Sequence, residues 1–316
     1  MESRLQNRNL VIDVGTNSVH MLVCDIGANG KKPSIILDDR RITRLGHGLA
    51  LTNELQEDAM ARTCATLREF ADQARRLGAE RMVAVGTSAL REARNATEFV
   101  KRVEKQCGVK IEIISGETEA RCAFLSIRSD SYFNRLDGDR IMVIDIGGGS
   151  TEIIVGRREI DNYVSVNLGA VYLTETYLAS DPPTAEELGE LYSFLEDTWS
   201  TQPVARGKLH SAPALTGIGG TIVNLAGMKL GLNRFDPRLI HGETLYMTEI
   251  ENQILRLCSV PLEARKRFSG LEAKRADIIT AGAAVLRSIL KHFGASEIRV
   301  STHGLRYGVM YHRFFS

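Results

Sequence analysis

Two short turns with the same chemical pattern, one in each half of the chain, constrain the fold more than any other feature. Each follows an apolar strand and starts with an aspartate: residues 13–18 read Asp-Val-Gly-Thr-Asn-Ser, and residues 145–150 read Asp-Ile-Gly-Gly-Gly-Ser. Around both turns the hydrophobic periodicity predicts the element order β-β-β-α-β-α-β. Because a whole order of elements recurs, we expect an α/β protein with two homologous lobes rather than one enlarged sheet.

The periodicity also predicts the individual elements. In the first half, a tight hairpin precedes a third strand at 34–44, and an apolar stripe predicts a helix over 54–77. A single helix is predicted from Leu90 to Cys107. In the second half, strands are predicted at 141–145, 152–155, 163–166, 214–218 and 298–301, and helices at 170–179, 184–199 and 222–230. A long helical stretch is predicted between the last of these helices and the strand at 298–301.

The predicted boundary between the lobes lies near Ser115 and Gly116, where a strand turns into a helix. Residues 1–116 then form the first lobe and residues 117–303 the second, with a cleft between them. The tail, 304–316, is a candidate to pack back on the first lobe.

Charge and cysteine content exclude several classes of protein. The 316 residues carry 40 Lys and Arg against 39 Asp and Glu, whereas proteins that bind DNA or anionic lipid by charge alone usually have a strong basic excess. The five cysteines are scattered and contain no C-x-x-C pair, which favours a reducing compartment over a disulfide framework. The first residues lack the apolar core of a signal peptide, and no apolar run reaches the ~18 residues that span a bilayer. We therefore expect a cytoplasmic protein that binds neither DNA nor a membrane.

The glycine turns have the composition of anion-binding nests. Small residues let successive backbone N–H groups face open space, and glycine lets a phosphate approach the backbone without a Cβ in the way. An aspartate before each nest would repel a bare phosphate, so Asp13 and Asp145 are best explained by a divalent cation that bridges carboxylate and phosphate. The hairpin also returns Glu152 close to Asp145, which favours a magnesium site. The alternative, an ordinary hairpin that ends in an aspartate, is open for either turn alone and weaker for the matched pair.

Other phosphate and metal motifs are absent from the sequence. No G-x-x-x-x-G-K-[ST] occurs, and no G-x-G-x-x-G follows the first strand, so the P-loop and dinucleotide-binding interpretations lose their main support. H-E-x-x-H is absent and the seven histidines are never i, i+4 neighbours, so we do not expect a histidine zinc site. A third small-residue turn, 216–221, could offer N–H groups to a phosphate or ribose.

Four segments in fixed order carry a family resemblance. They are 11–18 (VIDVGTNS), 86–95 (GTSALREARN), 115–121 (SGETEAR) and 145–152 (DIGGGSTE). Together they resemble the exopolyphosphatase / guanosine pentaphosphate phosphatase (Ppx/GppA) family in its short, two-domain form. That family belongs to the actin-like phosphotransferase superfamily.

The resemblance implies two actin-like (ribonuclease H-like) lobes and magnesium-dependent release of terminal phosphate from inorganic polyphosphate. Conversion of pppGpp to ppGpp is a second implied activity, and a homodimer is the family-based expectation. Glu119 matches the family's proposed general base, and Arg91 matches an arginine that contacts phosphate. By the same motifs, the metal-linked residues are Asp13, Asp145 and Glu152, and the other phosphate-binding residues are Gly15, Thr16, Asn17, Ser18, Gly147, Gly148, Gly149, Ser150 and Thr151.

Alternatives stay open at this point. The chain could be a regulatory protein that binds ppGpp with little turnover, or an ATP-using kinase of the same superfamily. Without the motif, Glu119 is equally an acidic residue favoured in a first helical turn by the helix dipole, and Glu117 could serve as base in its place. Arg91 could likewise be an exposed helix arginine paired with a glutamate.

Basic clusters outside the motifs have two interpretations. They could extend a track for a polyanion, or they could be solvated charged faces, which is the more common case. The clusters are Arg40, Arg41 and Arg44, then Arg265, Lys266 and Arg267, then Lys274 and Arg275.

Overall fold

Each half of the chain builds its own twisted sheet flanked by helices. The computed structural model describes residues 8–27, 32–133, 140–202 and 214–315. One compact unit comprises Met1–Ser126 with Leu305–Ser316, and the other comprises Ile127–Gly304. The predicted α/β class and the duplicated order of elements are confirmed.

The first unit is organised around a central strand that is buried on both faces. This strand, Arg8–Val14, pairs antiparallel with the second strand and parallel with the fourth. Leu10 and Ile12 pack into one hydrophobic cluster and Val11 into another, because successive side chains point to opposite faces of a sheet. The sheet order is β3-β2-β1-β4-β5. Its elements are β1 (Arg8–Val14), β2 (Ser18–Asp25), β3 (Ser34–Ile42), α1 (Leu49–Thr52), α2 (Glu57–Arg76), β4 (Arg81–Gly86), α3 (Ser88–Glu92), α4 (Ala96–Cys107), β5 (Ile111–Ile113) and α5 (Gly116–Arg128).

A C-terminal helix, α13 (Leu305–Phe314), completes the first unit. Leu305, Val309 and Met310 pack against the same face of the sheet as Val11. The contact with α5 is close: a Cβ on Gly308 would lie 1.8 Å from a backbone oxygen of that helix. The compact units divide at 126/127, inside α5, whereas the sequence placed the boundary at 116/117.

The second unit repeats the same sheet order and adds one edge strand. Its order, β8-β7-β6-β9-β11, matches that of the first sheet, and β10 pairs antiparallel with β11 at the edge. Helix α7 begins with a capping box in which Thr184 and Glu187 satisfy each other's backbone N–H groups. The elements are β6 (Ile141–Ile146), β7 (Thr151–Gly156), β8 (Ile160–Val166), α6 (Ala170–Tyr177), α7 (Ala185–Thr201), β9 (Ala214–Ile218), α8 (Gly220–Lys229), α9 (Pro237–Ile240), β10 (Thr244–Tyr246), α10 (Met247–Cys258), α11 (Leu262–Arg265), a 3₁₀ turn (Ala273–Arg275), α12 (Ile279–Phe293) and β11 (Glu297–Val300).

Two predictions of local structure were wrong. The single helix predicted over 90–107 is two helices, α3 and α4, separated by residues 93–95. Asn95 exchanges hydrogen bonds with both backbone groups of Leu55, at 2.9 and 3.0 Å, and this tertiary contact fixes the break. The short strand β10 was missed, since three residues carry too little periodicity to predict an element.

Among the described residues, no helix combines the length and the apolar character that crossing a bilayer requires.

Candidate active site

The first glycine turn joins β1 to β2 and is closed by one short backbone hydrogen bond. The N–H of Gly15 donates to the Ser18 carbonyl at 3.0 Å. The carbonyls of Thr16 and Asn17 accept from the loop 43–46, at 2.8 to 3.1 Å. Their N–H groups, in contrast, make no hydrogen bond to any described residue. The turn therefore presents donors without acceptors, which is the arrangement of an anion nest.

Asp13 lies next to this turn, at the end of β1. It faces His20 directly across the hairpin, so the two side chains lie on the same face of the sheet. His20 is held by the Ser18 hydroxyl, whose Oγ lies 3.0 Å from Nε2.

The second glycine turn joins β6 to β7 with the same closing hydrogen bond. The N–H of Gly147 donates to the Ser150 carbonyl at 3.0 Å. The N–H groups of Gly148 and Gly149 make no hydrogen bond within the described residues. The start of α6 folds onto this turn so closely that a Cβ on Gly169 would lie 2.2 Å from the Gly148 carbonyl. Thr151, the last residue of the predicted phosphate-binding motif, is fully buried and donates its hydroxyl to the Leu168 carbonyl at 2.6 Å.

A pair of buried carboxylates lies beside the second turn. Asp145 and Glu152 are directly opposite each other in the β6–β7 ladder and are 9% and 1% exposed. The Ser165 hydroxyl donates to Glu152 at 2.7 Å and fixes its orientation. Gly219, with φ of 92°, approaches the pair so closely that a Cβ there would lie 2.6 Å from an Asp145 carboxylate oxygen. Two facing carboxylates repel unless a cation intervenes, and hard oxygen ligands suit magnesium, so these residues fit the metal that the sequence predicted.

Glu119 occupies the first turn of α5 and is 6% exposed. Its Oε2 accepts a hydrogen bond from Arg91 Nη1 at 2.6 Å, and the same nitrogen donates to the Ile114 carbonyl at 3.1 Å. Burial raises the pKa of Glu119, the Arg91 charge opposes that shift, and the nearby charge of Glu92 adds to it. A carboxylate with a raised pKa is a stronger base than an ordinary one.

The environment separates Glu119 from its neighbour Glu117. The Glu117 side chain is 60% exposed and forms a surface ion pair with Arg121. Glu119, in contrast, is buried. Arg91 uses only Nη1 for its hydrogen bonds within the described chain, and its Nε and Nη2 make none there. One guanidinium can therefore hold Glu119 and still offer donors to a phosphate oxygen.

Several residues of the basic clusters are engaged in ion pairs. Arg265 is 4% exposed and pairs with Asp181, while Arg275 is 5% exposed and pairs with Glu272. Arg41 pairs with Asp39 at 2.6 Å. The fold therefore does not present a continuous basic track that includes all of these side chains at the surface.

One group of potential ligands was missed by the sequence analysis. Asp130, His241 and His303 lie together in the second unit, with one ligand atom from each within 4.8 Å of the others. Burial tends to raise the pKa of Asp130, but the two histidine rings close to its Oδ2 outweigh that effect and hold the pKa well below its usual range. No i, i+4 spacing could reveal this group, because its members come from three separate segments.

The comparisons with known proteins agree over nearly the whole chain. The model of the Ppx/GppA phosphatase family matches residues 22–315. "Exopolyphosphatase 2" of Mycobacterium tuberculosis is 30% identical over 314 residues, covering 96% of this chain and 97% of that protein. The "Guanosine-5'-triphosphate,3'-diphosphate pyrophosphatase" of Photobacterium profundum is 28% identical and covers 95% of this chain but only 58% of its own length. The crystal structure of the Aquifex aeolicus member of the Ppx/GppA family superposes with a TM-score of 0.79 at 35% identity, covering 98% of this chain and 97% of that one.

Proposed function

Since the chain belongs to the Ppx/GppA phosphatase family, we propose that it hydrolyses the terminal phosphoanhydride bond of inorganic polyphosphate and releases orthophosphate. Conversion of pppGpp to ppGpp is the second reaction proposed for the same residues. Both substrates present a terminal phosphate on an anhydride bridge, and relatives that carry each activity in their names align over at least 95% of this chain.

The observation that carries the proposal is the second glycine turn. There, N–H groups without acceptors lie beside the buried pair of Asp145 and Glu152. Backbone donors stabilise negative phosphate oxygens, whereas carboxylates repel them, so the two belong together only when a cation is bound as well. Asp145 and Glu152 would hold magnesium, with Asp13 as a further proposed ligand, and the ion would neutralise charge on the phosphates.

Glu119 is the proposed general base. Hydrolysis needs a group that accepts a proton from the attacking water as the bond to phosphorus forms. A buried carboxylate with a raised pKa suits this task, and its hydrogen bond to Arg91 fixes the orientation of the oxygens. Arg91, through the donors that Glu119 leaves available, is proposed to contact a phosphate oxygen.

Substitution of Glu119 tests this assignment. We expect Glu119→Gln to lower kcat by ~10²-fold or more with little change in KM, since the amide keeps the shape of the side chain but accepts no proton. Glu117→Gln is the matched control, two residues away on the same helix, and should keep its turnover. Equal loss of activity in both variants would remove Glu119 from the role of base.

The reaction itself is tested by phosphate release from polyphosphate, pppGpp and ATP, each with and without magnesium. We expect magnesium-dependent release from polyphosphate or pppGpp. Tight binding of ppGpp with release from none of the three would favour a regulatory protein, and transfer of phosphate from ATP to an acceptor would favour a kinase. Sedimentation of the same preparation tests the proposed homodimer.

A further inference from the structure

A further set of potential metal ligands includes none of the residues assigned to hydrolysis. Asp130, His241 and His303 each direct a ligand atom towards the same point. We infer that these three residues bind a first-row transition metal ion, with zinc the best fit. None of the three belongs to the glycine turns or to the carboxylate pair.

The distances are close to those of a tetrahedral site. Nε2 of His241 lies 3.3 Å from Oδ2 of Asp130, and Nδ1 of His303 lies 2.6 Å from the same oxygen. Ligands about 2.0–2.1 Å from a tetrahedral zinc are separated by about 3.3 Å. The contact between Asp130 and His241 already has this separation, and the contact between Asp130 and His303 must widen to admit an ion. His303 is the most exposed of the three side chains, at 33%, and sits in the loop after β11, so it has room to move.

The backbone holds the two histidine segments side by side. The N–H of Gly242 donates to the Val300 carbonyl at 2.8 Å, and the N–H of Val300 donates to Glu243 at 2.8 Å. His241 directly precedes Gly242, and His303 follows Val300 by three residues. The centroids of the two imidazole rings are 4.6 Å apart. The pairing therefore preorganises two imidazoles, which lowers the entropy cost of binding an ion.

The third ligand is fixed by its own loop. Oδ1 of Asp130 accepts the N–H of Tyr132 at 2.8 Å, which leaves Oδ2 directed at both imidazoles. The Asp130 side chain is 3% exposed. A partner on the distal oxygen of a ligating carboxylate is typical of metal sites, where it fixes the direction of the ligand.

Aromatic rings shield one side of the cluster. Tyr132 and Phe133 pack edge-on against His241, with ring centroids 5.5 and 5.3 Å away. Gly242, with φ of 88°, leaves no room for a side chain here, because a Cβ would lie 2.5 Å from the Tyr132 ring. Three protein ligands with solvent access from the His303 side leave a fourth position for water.

The donor set distinguishes this ion from the one proposed for hydrolysis. Magnesium prefers oxygen ligands and retains several waters, whereas two imidazoles and one carboxylate suit zinc, cobalt or iron(II). Asp130 and His303 also lie close in sequence to Ser126 and Leu305, the points at which the chain leaves and rejoins the first unit. A bound ion would hold the ends of both connecting segments at one point within the second unit.

Zinc binding by the untagged full chain tests the inference. After a chelator has removed bound metal, the protein is dialysed against zinc and then freed of unbound ion, and we expect one zinc per chain by elemental analysis. With Co²⁺ in place of zinc, we expect the intense visible bands of a low-coordinate site with nitrogen ligands. His303→Gln should weaken zinc affinity by at least ~100-fold, beyond the loss usual for outer-shell partners. Competition with a chromophoric chelator measures this change.

Two controls make the outcome decisive. His292→Gln, an exposed histidine outside the cluster, should bind zinc like the parent, and so should Asp145→Asn, which alters the proposed magnesium site. The Co²⁺ spectrum of the unaltered protein needs no variant to fold. An octahedral Co²⁺ spectrum, zinc affinity unchanged in His303→Gln, or zinc binding lost in Asp145→Asn but kept in His303→Gln would each overturn the inference.

Discussion

The two glycine turns share one backbone design and differ in the side chain that faces the aspartate. In both, the N–H of the first glycine donates to a serine carbonyl three residues later at 3.0 Å. In the first unit Asp13 faces His20 across the hairpin, and in the second Asp145 faces Glu152. The two turns therefore have the same backbone arrangement, whereas the charge next to the aspartate differs.

This difference separates two requirements of phosphate chemistry. Backbone N–H groups bind phosphate oxygens in a way that any sequence with small residues can supply. A paired carboxylate adds two negative charges, which a divalent cation then has to balance. An aspartate beside a histidine carries less negative charge than two carboxylates, so we expect the principal cation ligands to be in the second unit.

The largest predicted effect comes from removing the residue that differs between the turns. Glu152→Gln keeps the shape of the side chain but halves the charge of the pair, so we expect kcat to fall by at least ~100-fold at fixed magnesium, equivalent to about 2.7 kcal/mol of transition-state stabilisation. The magnesium concentration needed for half-maximal activity should rise in parallel. Phosphate release across a magnesium titration measures both.

His20→Gln is the matched variant in the first turn. It occupies the same place in the hairpin, but it removes no carboxylate from the proposed cation site, so we expect turnover within about 2-fold of the parent, a change of about 0.4 kcal/mol. Similar losses of kcat in Glu152→Gln and His20→Gln would mean that both turns contribute equally to cation binding, and that the second turn has no larger role.

The pH profile isolates the contribution of the first unit. Burial raises the pKa of Glu119, so we expect the proposed base to be protonated, and activity to be lost, at a higher pH than for an ordinary carboxylate. Arg91 opposes this shift, and Arg91→Met should therefore move the acid limb of kcat/KM to still higher pH. Arg94→Met, an exposed arginine on the same segment, is the control and should leave the limb in place. If the acid limb of kcat/KM moved to lower pH in Arg91→Met, the assignment of Glu119 as base would be contradicted.

The sequence predicted those parts of the fold and site that depend on local pattern. The strands before each turn, the duplicated order and the closeness of Asp145 to Glu152 all follow from alternation, turn chemistry and hairpin geometry. The break between α3 and α4 does not, because it depends on Asn95 reaching Leu55, forty positions away in the chain.

Contacts between distant segments explain what remained unpredicted in the candidate site. The hydrogen bond between Arg91 and Glu119 joins two helices, and it answers a question that the sequence left open, namely which acidic residue of the first helical turn is buried. The group of Asp130, His241 and His303 is a stronger case, since its members share no spacing. A run of basic residues in the sequence also does not reveal that Arg265 and Arg275 are buried in ion pairs.

The smallest predicted effect concerns how each turn is supported. In the second turn, a Cβ on Gly169 would lie 2.2 Å from the backbone of Gly148, which cannot move without distorting the nest. In the first, a Cβ on Gly46 would lie 2.3 Å from the Thr16 methyl group, which is a side-chain atom and not part of the backbone of the turn. We therefore expect Gly169→Ala to lower the free energy of unfolding by about 2–3 kcal/mol and Gly46→Ala by about 1 kcal/mol.

The single tryptophan makes this last comparison measurable. Trp199 is buried in the second unit, where its indole N–H donates to Ser288 at 2.9 Å. Its fluorescence therefore follows unfolding of the unit that contains Gly169, while the far-ultraviolet circular dichroism follows both units. Gly169→Ala should lower the urea midpoint of the fluorescence transition, and Gly46→Ala should leave that midpoint in place. If Gly46→Ala lowered the circular dichroism midpoint of the first unit as much as Gly169→Ala lowers the fluorescence midpoint, the two turns would be equally rigid, and the difference between them would be one of charge alone.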